Sequence, residues 1–260
     1  MNGFASKRLQ ALAVGATLAV VLGTSPAGAH QPHKKAAGEI TVLAASSLTE
    51  AFTEIEAKFE KKHPNADVLL NFGSSSMLVT QIQQGGPADV IATADEANME
   101  KLVESEHVAA SPAVFATNVL EIAVAPDNPT RIASLADTLG DDITLVLCAA
   151  EAPCGKYALE AYASAGLTVP TVPTGATAKD TIAKVTLGEA DAAVVYVTDV
   201  NAADDDVDGV EIPDDENVTA TYPISSLAEA VNGPGAKAFV KYVLSKPGQK
   251  ILRSFGFLEP

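Results

Sequence analysis

Apolar and polar positions follow one another with two periods along this chain, and the changes of period mark out its elements. Ile40 to Ala45 is a short unbroken apolar run, the pattern of a strand buried on both faces. From Leu48 to Lys62 the apolar residues Phe52, Ile55 and Phe59 return at helical spacing among charges, and Val68 to Phe72 restores strand character. This βαβ opening leads to a short helix from Met77 to Gln84 stopped by Gly85-Gly86-Pro87, a strand from Ala88 to Ala92 and a helix from Glu96 to Glu104. The second part repeats the style, with strands at Val119 to Ala125, Ile143 to Leu147 and Ala192 to Val197, and helices at Tyr157 to Ala165 and Lys179 to Leu187. Thr221 to Ser225 reads as a strand, Gly235 to Leu244 as a helix, and Pro247 to Ser254 as a last helix opened by proline. Such alternation predicts an α/β fold whose mainly parallel sheets carry helices on their faces.

The first residues read differently. Lys7 and Arg8 precede an apolar run from Leu9 to Gly23, and Ala27-Gly28-Ala29 fits a small-residue cleavage site, so residues 1–29 are expected to be a signal peptide. The run is shorter than the roughly 20 residues that span a bilayer, and both cysteines lie far downstream, which removes a lipid-modified cysteine at the cleavage site. The expected product is exported to the periplasm, envelope or exterior. Residues 30–38 form a polar tail, and His30 and His33 there read as solvated rather than metal-binding. The rest suits two lobes, residues 39–118 with 220–260 and residues 119–219, with a ligand between them where strand ends face a cleft.

Composition narrows the partners. The 260 residues carry 33 Asp and Glu against 17 Lys and Arg, a formal charge of −16, and loss of Lys7 and Arg8 with the signal takes it to −18. A nucleic-acid partner would need the basic footprint that is missing here. With 47% hydrophobic and 19% charged residues the chain can bury a core. The absence of Trp argues against a sugar cleft built on stacked indoles.

Four segments place small residues where a helix begins: Ser47-Leu48-Thr49-Glu50, Gly73-Ser74-Ser75-Ser76, Pro153-Cys154-Gly155 and Thr177-Ala178-Lys179-Asp180. Each alone reads as helix capping, and the first has the form of a capping box. Together they suggest helix N-termini converging on an anion, which their free N–H groups and positive dipole ends bind without a formal positive charge.

The runs Val42-Leu43-Ala44-Ala45-Ser46-Ser47-Leu48-Thr49, Asn71-Phe72-Gly73-Ser74-Ser75-Ser76, Gly86-Pro87-Ala88-Asp89-Val90 and Val195-Tyr196-Val197-Thr198-Asp199 resemble, in order and spacing, the periplasmic molybdate-binding proteins of the Mod ABC transporters. The closing Ser254-Phe255-Gly256-Phe257 is similar as well. The resemblance covers nearly all of the expected mature chain and implies a two-lobed periplasmic-binding-protein fold of type II. It also implies a monomer that delivers molybdate or tungstate to a membrane permease, with no cofactor. The implied ligand set is the hydroxyls of Ser47 and Ser75, the backbone amides of Cys154 and Ala178, and the hydroxyl of Tyr196. Cys154 stands where a branch of the family has alanine, which a backbone donor tolerates. Molybdate at neutral pH has no proton to donate, so a site made only of donors suits it, whereas phosphate rewards an acceptor carboxylate.

In an exported chain, Cys148 and Cys154 are expected to form a disulfide rather than a metal or redox pair, since C-x-x-C spacing is absent. That bond would help to fix the Cys154 amide. Asp204-Asp205-Asp206-Val207-Asp208-Gly209 has the D-x-D-x-D-G form of a calcium loop through Asp204, Asp206 and Asp208, yet Asp215 stands where a bidentate Glu is usual, so a solvated acidic loop is the better expectation. The competing functions are a secreted serine hydrolase and a receptor for another tetrahedral oxyanion such as sulfate. The first is disfavoured because Gly73-Ser74-Ser75-Ser76-Met77 lacks the final glycine of G-x-S-x-G, and neither His63 nor His107 has the setting of a general base.

Overall fold

Ile40, Val42, Leu43 and Ala44 are wholly buried, as the unbroken apolar run requires, because their strand β1 (Ala37–Ala45) lies inside a sheet. The computed structural model describes residues 36–260; the expected signal peptide and residues 30–35 of the expected tail lie outside the described residues, while residues 37 and 38, also expected in the tail, belong to β1. A single 3-10 turn (Ser46–Leu48) leads from β1 into α1 (Thr49–Lys62), then β2 (Asn65–Gly73), α2 (Ser75–Gln83), β3 (Val90–Ala92) and α3 (Glu96–Glu104). Next come β4 (Ala113–Val124), β5 (Leu145–Cys148), α4 (Pro153–Ser164), β6 (Thr174–Gly175), α5 (Ala178–Thr186), β7 (Ala192–Tyr196) and α6 (Val197–Ala203). The chain closes with β8 (Asp208–Glu211), β9 (Thr219–Ser226), α7 (Gly233–Val243) and α8 (Lys246–Ser254).

The strands pair in the order β2-β1-β3-β9-β4-β7-β5-β6, with β8 added on β4. The βαβ units make β2, β1 and β3 parallel at one end and β7, β5 and β6 parallel at the other. Between them β9 and β4 run antiparallel to their neighbours, so the sheet is mixed rather than built only of parallel arms. Strand β4 changes partners along its length: Ala113 to Val119 pair with β9, and Leu120 to Val124 pair with β7 and β8. Asn217 braces that change. Its side-chain oxygen accepts from the Leu120 N–H at 3.0 Å, and its amide nitrogen donates to the Leu120 carbonyl at 2.9 Å.

Phe52, Ile55 and Phe59 bury one face of α1, as their spacing predicts. Phe52 packs on Phe115 of β4 and Phe239 of α7, with ring centroids 5.8 and 6.0 Å apart, and Phe59 meets Phe239 and Tyr242 edge-on. Gly85 ends α2 with φ of +83°, a conformation that favours glycine. The acidic stretch is not one loop. Asp204 to Asp206 form a 3-10 turn, Asp208 opens β8, and the Asp208 carboxylate accepts the Asp127 N–H at 2.7 Å. The calcium candidate Asp204, Asp206 and Asp208 therefore does not form a loop of converging ligands. Among the described residues no group of three or more His, Cys, Asp or Glu is placed to hold a metal ion.

Candidate functional site

The carboxyl ends of β1, β2, β5, β6 and β7 deliver the chain to one small cavity, as expected where α/β strands meet a ligand. Its wall comprises Ala45, Ser46 and Ser47 after β1, Gly73, Ser74 and Ser75 at the start of α2, and Ala94 before α3. It is completed by Ala152, Pro153 and Cys154 at the start of α4, Thr177 and Ala178 at the start of α5, and Tyr196 at the end of β7. The structure thus brings together all five residues singled out from the sequence, Ser47, Ser75, Cys154, Ala178 and Tyr196. They are at most 4% exposed. The cavity volume is about 10 Å³, far below the roughly 300 to 1,000 Å³ of pockets for organic ligands. No Asp, Glu, His, Lys or Arg lines it.

What the wall presents is donors. Cys154 and Ala178 lie in the first turns of α4 and α5, where an N–H has no partner within its own helix. Pro153 opens α4 and has no N–H of its own, which leaves Cys154 as an early donor of that helix. Thr177 caps α5 by accepting the Asp180 N–H at 3.0 Å, and so leaves Ala178 uncapped. The starts of α2 and α4 carry no side-chain cap at all, whereas α3 and α7 are capped by Asp95 and Asn232. Helix ends buried without caps need another partner, and an anion supplies one.

The hydroxyls are oriented from behind. Ser75 Oγ accepts the Ala94 N–H at 3.0 Å, which leaves the Ser75 proton free to be given elsewhere. Ser47 is not the helix cap that its capping-box pattern implied: no side-chain cap serves the 3-10 turn or α1, and Ser47 Oγ instead lies 2.9 Å from Tyr222 Oη. The helix starts at Thr49 after the turn, so the spacing from Ser47 to the first free N–H groups is wrong for a cap. Asn118 Nδ2 points to Tyr222 Oη at 3.5 Å, so the phenol is served on its acceptor side and can donate to Ser47. Tyr222 and Asn118 were not visible as site residues in the sequence, because a buried Tyr in an alternating strand reads as core. Tyr196 Oη is buried without a hydrogen-bond partner among the described residues. Burial, followed by the neighbouring Tyr222, pushes its phenol well above its usual range, so it keeps its proton and remains a donor.

Cys148 at the end of β5 and Cys154 in the first turn of α4 are joined by a disulfide, with Cα atoms 5.8 Å apart. Gly155 is held by the same packing: a Cβ there would meet the carbonyl oxygens of Ala149 and Cys148, so only glycine lets α4 begin this close to the strand end. Beside the cavity, Asp199 of α6 is fully buried; desolvation raises its carboxyl to about 6, only partly offset by Lys179.

Residues 40–258 match the model of a family described as bacterial extracellular solute-binding protein. The molybdate-binding protein ModA of Mycobacterium tuberculosis is 34% identical over 247 residues, which cover 93% of this chain and 95% of that one. The ModA protein of Escherichia coli is 32% identical over 242 residues, covering 85% of this chain and 89% of its own. The periplasmic molybdate-binding protein of Azotobacter vinelandii superimposes with a TM-score of 0.76 at 18% identity, over 85% of this chain and 99% of that chain, which shows the shared fold. With donors converging between the two ends of one sheet, and with relatives this similar over nearly its whole length, the chain belongs to the bacterial extracellular solute-binding proteins, in the ModA group.

Proposed function

We propose that this protein is the extracytoplasmic receptor of an ABC importer, binds molybdate and tungstate in the cavity between the helix starts, and hands the oxyanion to the membrane permease. Residues 39–118 with 220–260 form one lobe and residues 119–219 the other, a division supported by the change of partners in β4 at Val119 and Leu120. The observation that carries the reading is the donor set itself: two serine hydroxyls, two first-turn amides and the partnerless Tyr196 phenol, with no carboxylate in the wall. A dianion that carries no proton is served by such a wall, and hydrogen bonds to a charged group are worth roughly 1.5 to 3 kcal/mol each. The chain's own net charge of −16 is spread over a surface screened beyond about 8 Å at physiological salt, so these local donors outweigh it.

Binding proceeds without catalysis in this reading. No general base adjoins the serines in the wall, and Cys154 is tied in the disulfide rather than available as a nucleophile. The mature protein works as an exported monomer.

Calorimetric titration of the mature protein with molybdate, tungstate, sulfate and phosphate tests the reading. Tight binding of molybdate and tungstate at one site, with phosphate much weaker, is the expected result. Phosphate bound as strongly as molybdate would overturn the donor argument, and sulfate bound more tightly than either would move the assignment to the smaller oxyanion.

A further inference from the structure

Six ion pairs occur among the described residues, and four of them join partners no more than six positions apart. The other two share a single ammonium. Lys179 Nζ lies 2.8 Å from Glu50 Oε1 and 3.7 Å from Asp199 Oδ1. Each of these three residues is close in sequence to a member of the candidate site. Glu50 stands three residues after Ser47 at the start of α1, Lys179 follows Ala178 in α5, and Asp199 stands three residues after Tyr196 in α6. One cation therefore connects the segment that carries Ser47 with the two segments that carry Ala178 and Tyr196.

The two halves of this network differ in setting. Asp199 has a side chain with no exposure, anchored in the same half of the sheet as Lys179 itself. Glu50 is 36% exposed and belongs to the opposite half, where α1 packs against β2. A cation held from behind by a buried carboxylate and tied in front to a carboxylate of the facing wall has the layout of a clasp.

We propose that Lys179 is a positioning residue that clasps the two walls of the site together through Glu50, so that the Glu50–Lys179 pair sets how long a bound oxyanion is retained. The inference rests on the oxyanion-binding reading and adds to it the element that governs release. Lys179 does not line the cavity, so its part is to hold the walls and not to touch the ligand.

Electrostatics alone and a clasp predict opposite signs for one substitution. Glu50→Gln removes a negative charge from the surroundings of a dianion, which by Coulomb repulsion should slow release. If the pair holds the walls together, the same change speeds release. Glu50→Asp keeps the charge but shortens the reach to Lys179, and should speed release as well. The experiment is stopped-flow displacement of bound molybdate by excess tungstate in the full mature chain, followed by tyrosine fluorescence, on the native protein and both variants. Release about two- to five-fold faster in both variants is expected, the range of a partly exposed ion pair, with association rates and the melting temperature of the ligand-free protein little changed. Unchanged or slower release in either variant overturns the clasp. A native protein that binds none of the four oxyanions in the calorimetric titration overturns the site reading, and the clasp with it; the two failures are told apart by that titration.

Discussion

At Ser75 the backbone of Ala94 occupies the acceptor side of the hydroxyl, and at Tyr196 burial keeps the phenol protonated, so each group is left with a proton that no acceptor among the described residues takes up. Removing either donor should weaken molybdate binding about ten- to a hundred-fold, the cost of one hydrogen bond to a charged ligand, while the fold survives. Titration of Ser75→Ala and Tyr196→Phe checks this, and unchanged affinity in both would show that the ligand sits elsewhere. Asp199 makes a different prediction. Its carboxyl is raised from 3.8 to about 6, chiefly by desolvation, so the native state holds the proton more tightly than the unfolded chain does. The favourable protonated form is present at low pH and is lost as pH rises through about 6, so Asp199 costs stability in neutral solution. Asp199→Asn should therefore gain on the native protein between about pH 4.5 and about pH 7.5, by about 2 kcal/mol in the difference between the two, as read by denaturant unfolding without ligand. A stability difference independent of pH would show that the carboxylate is not desolvated in solution. Of these residues the sequence pattern marked Ser75 and Tyr196 through their family-like motifs. Asp199 lay inside one of those motifs with no sign of its burial, because burial depends on α5 and β4 packing against α6.

Among the elements, four helix starts were legible as a group because small and hydroxyl residues cluster where apolar periodicity begins, yet the local capping that the pattern suggested for Ser47 is not what the structure has. A Ser-x-x-Glu pattern predicts local capping, and here a long-range partner, Tyr222, some 175 residues away, takes the hydroxyl instead. Helix α6 was missed because Val197, Thr198, Val200 and Asn201 are poor helix formers, and its place is set by packing against β4 and β7. The disulfide, in contrast, followed from compartment and spacing and is present between β5 and α4. It closes a short loop, so its loss through Cys148→Ser with Cys154→Ser should lower stability by only about 2 kcal/mol. The same double variant loosens the helix start that carries the Cys154 amide, and molybdate affinity should fall about ten-fold by calorimetry. Native affinity in the double variant would mean that the packing at Gly155 suffices to hold the amide.

For the molecule as a whole, the βα alternation foretold an α/β fold, and the parallel arms at each end of the sheet were readable from it. The antiparallel middle was not. Strand β4 begins at Ala113, six residues before its expected start, because Thr117 and Asn118 interrupt the apolar run although both lie within the strand. Nor does any local pattern say that β9 inserts between β3 and β4. That insertion governs the order in which the protein can take shape. The strand that fills the gap between β3 and β4 belongs to residues 219–226, so a chain cut off at residue 218 has no means of joining its first three strands to the rest of the sheet. The two arms of the sheet can be joined through β9 only once more than four-fifths of the 260 residues have been made. Contacts between such distant positions are slow to form, which leaves time for a polypeptide to be threaded through a membrane before it locks into a shape too wide to pass.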